Sequence, residues 1–586
     1  MVNKKVKLYY DLTIHMKIDR LILIIAVIIA LASVIVYFST VTIKNEDSFS
    51  FFHKISGNAE LAVVMPHHDL VKDVRRDFFK KLSSASKPQT IILVSVNHFN
   101  TGSGDIITSD QDWLVANGEK KINANTAVIN KLKDSGLLKI EPAAFLNEHG
   151  IKNLLGEIKE FFPNSALVPL MIKEPAKPLD IKKLAEALEL NCSNCGLIAS
   201  VDMSHYQPAH LAEIHDAKTI GSLATLDEEQ IWQSEVDSNA ALALLISLAK
   251  NKNLNHFNLF AHTNSGLLAK NLEAETTTHI FGNYSAGDPA KTDNELSFSF
   301  AGDAMFGRNV GYDFQKNNFI DLFSNLGNRT LWGTDISYLN LEGPISDQEI
   351  KQNPAEHSLI FNFSRETIEA LKYLKITTAG LANNHTYNQG RAGLNKTKEI
   401  LDKAKIDWVG DPNEASDVSI KRYKQGDLTV ALLAVHVLYG ASGIEELIKQ
   451  EKSKNNFVIV LPHWGNEYEI KHSITQEKLA RAWIAAGADL IIGGHPHVVQ
   501  DAQIINGKLV IYSLGNFIFD QMFSAETQKG LILSGSIAAG KIKIVLTPIV
   551  SKRMKPEIMR GADREKIIER ICAGLGGYCK DDTIEI

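Results

Sequence analysis

Cysteine is scarce. The 586 residues contain four, Cys192, Cys195, Cys572 and Cys579. Cys192-Ser-Asn-Cys195 is a CxxC, but no second pair stands at zinc-ribbon spacing, so a zinc ribbon is excluded. A redox role is disfavoured as well, because Leu190 and Asn191 place the pair in a connection and not at a helix N-terminus. Outside the cell, two local disulfides, 192–195 and 572–579, are the simplest reading. Basic excess is also lacking. Lys and Arg number 62 against 68 Asp and Glu, for a formal net charge of −6. No surplus cation is left to neutralise a phosphate backbone, and nucleic acid is excluded as a partner. Internal repeats and low-complexity tracts are missing, which excludes a repeat array. The remaining composition is that of a folded protein, 45% hydrophobic and 22% charged, with length for about three to four domains.

One long hydrophobic run is present. Leu21 to Phe38 carries no charge and has the length needed to cross a bilayer. Its length and the lack of a small-residue cleavage site favour an uncleaved anchor over a cleaved signal peptide. Lys4, Lys5, Lys7, Lys17 and Arg20 precede it and only Lys44 closely follows. The positive-inside rule then puts 1–20 in the cytoplasm, a transmembrane helix at 21–41 and everything beyond outside. The chain reads as a single-pass protein of the cell membrane, its folded domains extracytoplasmic.

After a polar and aromatic spacer at Asp47 to Gly57, residues 58–284 alternate apolar runs with amphipathic stretches. Strands are predicted at Ala59–Met65, Thr90–Val96, Ala166–Met171 and Gly196–Val201. Helices are predicted at Val71–Ser83, Ala124–Ser135, Ile151–Phe161, Asp180–Leu190 and Asp237–Ala249. Alternation of this kind implies α/β layers around a buried sheet. The stretch 285–295, rich in small, Gly, Pro and polar residues, is the clearest linker. A second α/β domain follows at 296–550, and 551–586 reads as a tail made of a helix and an irregular end.

In the first domain four predicted element ends carry metal-type or acid/base residues: His67-His68-Asp69, Asn97-His98, Glu148-His149, and Asp202 with Ser204-His205-Tyr206. Ligand crevices of open α/β sheets lie beyond the carboxyl ends of the strands, so these groups are placed to converge. The alternative is that each is a helix cap or a turn residue. PHHD at 66–69, VNHF at 96–99, EHG at 148–150 and SVDMSHY at 200–206 resemble the motif series of the MEMO family, the AmmeMemoRadiSam system protein B group. The resemblance implies a fold like that of the class III extradiol dioxygenases. It also implies metal-binding positions at His67 and His98, with His205 near an acid/base position. Where the family often has a Cys, before the helix that starts near 237, this chain has none. Asp237 would complete two His and one carboxylate, the facial set of non-haem iron, and the cofactor is expected to be one iron or copper ion.

The second domain contains Gly302-Asp303, Glu342-Gly343, Asn383-Asn384-His385, His463, Gly494-His495-Pro-His497 and Gly515-Asn516, each after an apolar run. Carboxylates, an amide and imidazoles at several strand ends are what two divalent cations require. Asp303, Glu342, Asn384, His463, His495 and His497 are the candidate ligands. His385, next to a candidate ligand, is placed to protonate a leaving group near neutral pH. In the extended loop at 495–497, residues two apart point in different directions, so each His can serve a different ion. The alternative is a sugar-nucleotide or dehydrogenase-like sheet with plain capping turns.

GDAMFGR, NLEGP, ANNHTYNQG, HWGNEY, GGHPHVVQ and YSLGNFIFD, spread over 302–520, resemble the CapA family of poly-gamma-glutamate capsule synthesis proteins, within the calcineurin-like metallophosphoesterase superfamily. The resemblance implies a four-layer α-β-β-α sandwich. It implies one ion at Asp303, Glu342 and His497 and another at Glu342, Asn384, His463 and His495, the metal being Mn, Fe, Zn or Mg. Two departures stand out: Met305 occupies the His position of the superfamily's DxH motif, and Glu342 replaces the usual Asp. The expectation is a metal-dependent hydrolase of envelope or capsule polymer metabolism, cleaving a phosphoester or a gamma-glutamyl amide. A non-catalytic scaffold that binds or exports an anionic polymer is the alternative.

Overall fold

A computed structural model of the chain describes residues 50–51, 61–115, 118–174, 176–291, 294–316, 319–346, 359–438 and 440–586. The predicted membrane span at Leu21 to Phe38 lies outside them. Among the described residues no helix is long and apolar enough to cross a membrane.

The first sheet is built on four parallel strands in the spatial order Ala62–Met65, Cys195–Ser200, Thr90–Val96 and Ala166–Ile172. Ala62–Met65 is flanked by the antiparallel pair His256–Asn264 and Thr276–Ser285. Ser50–Phe51, inside the predicted spacer, adds an edge strand against His262 and Ala261. The central strands are apolar throughout because both faces are covered. Ile92, Val94 and Leu170 face one core with the helices Thr126–Asp134, Pro178–Asn191 and Asn239–Asn251. Ile91, Leu93 and Met171 face another with Lys72–Ala85 and His149–Phe161.

Two further sheets lie face to face. One runs through Thr378–Gly380, Ile336–Leu341, Glu295–Ala304, Lys529–Ala538 and Lys541–Lys552, and the other through Leu428–His436, Phe457–His463, Leu490–Ile492 and Lys508–Ile511. Alternate side chains account for the layering. Phe298 and Phe300 meet Leu432, Ile459 and Ile511 in a core between the sheets. Ala301, Leu339 and Leu341 pack outward on the side of the helices Thr367–Tyr373 and Gly390–Ala404. On the far side, Val458, Val460 and Ile491 pack outward with Trp464 and Trp483. The result is a helix–sheet–sheet–helix stack.

The stretch after 550 is more ordered than its composition predicts. Helix Ala562–Cys572 is followed by the strand pair Cys579–Lys580 and Thr583–Glu585, and the latter extends the sheet by pairing with Lys543 to Val545. Asp582 is gripped from both sides, by Arg564 of that helix and by His210 of the first domain. Both expected disulfides, Cys192–Cys195 and Cys572–Cys579, are formed.

Candidate metal centres

In the first domain the carboxyl ends of the parallel strands converge as the crevice rule requires. His67 follows Met65, His98 follows Val96 and Asp202 follows Ser200, each by two residues. His67, His98 and His149 each offer a ring nitrogen within 4.8 Å of the others. Asp237, just ahead of helix Asn239–Asn251, places Oδ2 3.5 Å from His67 Nε2 and 3.8 Å from His98 Nε2.

The neighbours fix which nitrogens carry lone pairs. Ser200 Oγ donates to the Gly150 carbonyl, so it accepts from His67 Nδ1, 3.2 Å away. His98 Nδ1 donates to Glu148 Oε1 at 2.6 Å. Both rings therefore aim a bare Nε2 at buried carboxylate oxygen, His67 also at Asp202 Oδ2 at 3.3 Å. Lone pairs opposed in this way require a proton or a cation between them. Burial, followed by the charge of Asp202, pushes the Asp237 carboxyl well up, and Asp237 Oδ1 has no hydrogen-bond partner. Burial brings His67 down to about 4, which keeps it neutral and able to ligate.

His205 stands beside this cluster on the loop from Asp202. Its Nδ1 donates to the Met203 carbonyl and its backbone N–H to Glu235 Oε2 at 3.3 Å. Sequence reasoning left two histidines out of the ligand set. His149 stands among the residues expected to converge, but the resemblance implies only His67 and His98 as metal-binding positions. His279, on the strand Thr276–Ser285, is buried beside His68 with neither ring nitrogen hydrogen-bonded.

In the second domain, both facing sheets contribute to one edge. Asp303, Glu342 and Asn384 come from the ends of one sheet's strands, and His463, His495 and His497 from the other's. The structure brings all six together. Asp303 accepts from Asn340 Nδ2 at 2.7 Å and from the His495 N–H at 3.0 Å, and lies 3.5 Å from His497 Nδ1. His463 Nε2 is 2.9 Å from Asn384 Oδ1 and 3.2 Å from His495 Nδ1. The two glycines before His495 are there for space: a Cβ on Gly494 would stand 2.8 Å from Asp303 Oδ1, and one on Gly493 would stand 2.1 Å from the Tyr512 carbonyl oxygen. His495 (φ +96°) and His497 (φ +59°) both hold left-handed backbone, a conformation that costs energy and concentrates at functional sites.

Glu342 tests whether these residues fit a cation. It is fully buried, and neither carboxylate oxygen has a hydrogen-bond partner. Two imidazole nitrogens face it, His497 Nε2 at 3.7 Å and His385 Nε2 at 4.0 Å. Burial, then the charges of Asp303 and Glu467, push it well above the usual carboxylate range. Burial raises Asp303 to about 6 and lowers His495 and His497 to about 4. A buried carboxylate without partners, beside a second buried carboxylate and among neutral imidazoles, fits a divalent cation.

The grouping differs from the one that the resemblance implies. Asp303, Glu342 and His463 form one set of converging ligand atoms, and His495 and His497 form another with Glu467. Glu467 lies inside the HWGNEY motif and was missed because it sits beyond the strand end, on an exposed loop. Asn340 and Asn383 were also missed. Asn383 donates to Asn340 Oδ1 and, through Oδ1, accepts from the N–H groups of His385 and Thr386, which ties the two loops together.

Residues 297–521 match the family model described as bacterial capsule synthesis protein PGA_cap, and residues 44–276 match that of Memo-like protein. The PGA biosynthesis protein CapA of Bacillus subtilis is 29% identical over 276 residues, covering 44% of this chain and 72% of that protein. The capsule biosynthesis protein CapA of Bacillus anthracis is 28% identical over 323 residues, covering 50% and 78%. A MEMO1 family protein of Caldivirga maquilingensis is 26% identical over 179 residues, covering 29% of this chain and 62% of that protein. The chain is a fusion in which a Memo-like domain precedes a capsule-synthesis domain of the PGA_cap family.

Proposed function

We propose that the chain is a metal-dependent hydrolase in the synthesis of a capsule or related envelope polymer, tethered to the cell membrane by Leu21 to Phe38. A capsule-related role is supported by the PGA_cap match and the two CapA relatives. The observation that carries the hydrolytic reading is Glu342, a buried carboxylate with both oxygens unpartnered and two imidazoles facing it.

Asp303, Glu342, Asn384, His463, His495 and His497, joined by Glu467, would hold one or two divalent ions. Such ions polarise a scissile phosphoryl or carbonyl group. The rest is the work of the chain's own residues. Asn388 Oδ1 accepts from the Phe361 N–H at 2.7 Å and lies 3.0 Å from His385 Nδ1, so that nitrogen carries the ring proton. His385 also stacks on Phe361, with ring centroids 4.0 Å apart. Its free Nε2 is therefore placed to take a proton from the attacking water and return it to the leaving oxygen or nitrogen. The substrate class is an anionic envelope polymer or its precursor, cleaved at a phosphoester or a gamma-glutamyl amide. In the Memo-like domain, His67, His98 and Asp237 would hold a single iron or copper ion.

The test is metal content and turnover of the full chain against His495→Ala, using phosphodiester and gamma-glutamyl peptide substrates. Loss of metal and of turnover in the variant supports the reading. Equal metal content in the two and no turnover in either would establish the polymer-binding scaffold instead. Met305 favours that second reading. It stands where a ligating His is usual and uses its sulfur to accept the Gly307 N–H. For the first domain, iron or copper bound by the wild type and lost in His98→Ala is the expected result, and binding by neither overturns the ion assignment.

A further inference from the structure

The two domains meet through buried charge. Glu235 of the first domain is fully buried, faces His215 Nδ1 at 3.4 Å and is ion-paired to Arg329 of the second. Around that pair the surfaces interlock. Gly333 lies so close that a Cβ there would stand 2.9 Å from Glu235 Cβ and 3.1 Å from His215 Cγ. Lys218, almost wholly buried, reaches Asp335 at 3.3 Å. Leu211 and Ile214 pack with Val545.

Glu235 touches the first-domain cluster in two ways. Its carboxylate accepts the backbone N–H of His205. Two residues further on, the same turn carries Asp237, which faces His67 and His98. Asp237 and Asp202 in turn bind each other's backbone: the Asp237 N–H donates to the Asp202 carbonyl at 3.2 Å, and the Asp202 N–H to Asp237 Oδ2 at 3.1 Å. Tyr206, next after His205, lines a cavity of about 810 Å³ together with Asn325, Arg329 and Arg560 of the second domain. The loop beside the first site thus borders a cavity to which the second domain also contributes.

We propose that Arg329 is a positioning residue of the first-domain site. It anchors Glu235, and through that turn it sets Asp237 and the His205 loop against His67 and His98. The capsule-synthesis domain is then a structural part of the Memo-like site, which is one reason for the two to share a chain. The inference rests on the reading of His67, His98 and Asp237 as an ion site.

The experiment titrates cobalt(II) into the full chain and reads the visible absorption that disappears in His98→Ala. Arg329→Gln is expected to weaken this binding about tenfold, the size of effect typical for residues that orient ligands, and to shift the cobalt bands. Arg329→Lys recovers part of both. Glu235→Gln matches Arg329→Gln, and the double variant loses no more than either single one. The cobalt signal that depends on His495 stays unchanged throughout. Wild-type affinity and spectrum in Arg329→Gln, or additive losses in the double variant, overturn the proposal. Should Arg329→Gln fail to fold, Glu235→Gln decides alone on the same spectrum. If the wild type binds no His98-dependent cobalt, it is the ion reading that fails, and this inference falls with it.

Discussion

His497 gives its Nδ1 hydrogen to Asn516 Oδ1, 2.9 Å away, and so turns the bare Nε2 toward Glu342 at 3.7 Å. The direction is fixed because Asn516 Nδ2 donates to the Thr527 carbonyl at 2.9 Å, which leaves only Oδ1 to face the ring. Asn516→Ala is therefore expected to weaken metal binding at the second-domain cluster roughly ten- to a hundredfold. Calorimetric titration checks this; an unchanged affinity would show that the tautomer of His497 is irrelevant to the site.

Glu342→Gln should move two quantities in opposite directions. The metal-free chain no longer holds a buried acid without partners, and gains about 1 to 2 kcal/mol. The rise in melting temperature that divalent metal gives the wild type is lost. Thermal melts with and without metal decide, and destabilisation of the metal-free variant contradicts the reading of Glu342 as a partnerless acid.

Stability of the metal-free chain should fall on acidification. Burial holds His67, His495 and His497 at about 4 and His279 at about 3, and keeps His463 well below its usual range. As pH drops through 6.5 the unfolded chain protonates these imidazoles while the folded chain does not, so unfolding is favoured down to about pH 4. Asp303, Asp237 and Glu342, all raised by burial, act in the opposite sense. His149, His205, His385 and His436 are lowered by burial as well, and together the lowered imidazoles outweigh the three carboxyls and the raised His210 and His262. Urea midpoints in chelator should climb from about pH 4.5 to about 6.5, and a climb in the other direction refutes the balance.

Thiol titration of the unreduced, denatured chain should find no free sulfhydryl, since all four cysteines are paired. Replacing both Cys572 and Cys579 by Ser should cost about 2 kcal/mol, the loop-closure entropy of so short a ring. Denaturant unfolding measures it, and an unchanged midpoint would mean that the pairing adds nothing.

Much of the framework was legible because burial leaves a local mark. Thr90–Val96 is apolar at nearly every position, since helices cover both sheet faces, and its predicted limits are those observed. Helix Asn239–Asn251 begins just after Asp237 because Ser238 caps it. The strand-end rule likewise located Asp303, Glu342, His463 and both histidines of the 495–497 loop. What was missed depends on contacts distant in sequence. Glu467 approaches the site from beyond a strand end, and Asn340 matters only because Asp303 and His463 flank it. Nothing local in Arg329 indicates that Glu235, 94 positions earlier, needs a cation. The helix-plus-irregular reading of 551–586 missed the strands Lys555–Ile558, Cys579–Lys580 and Thr583–Glu585, because none exceeds four residues and each finds its register only against a neighbouring strand.

The grip of Asp582 on His210 joins positions 372 apart. At common translation speeds of about 5–20 residues per second, roughly 20 to 75 s pass between the appearance of the two partners. Throughout that interval, His210 at the start of helix Ala209–Thr225 lacks its Asp582 partner. This corner of the first domain is therefore completed only after nearly all of the second domain has been made.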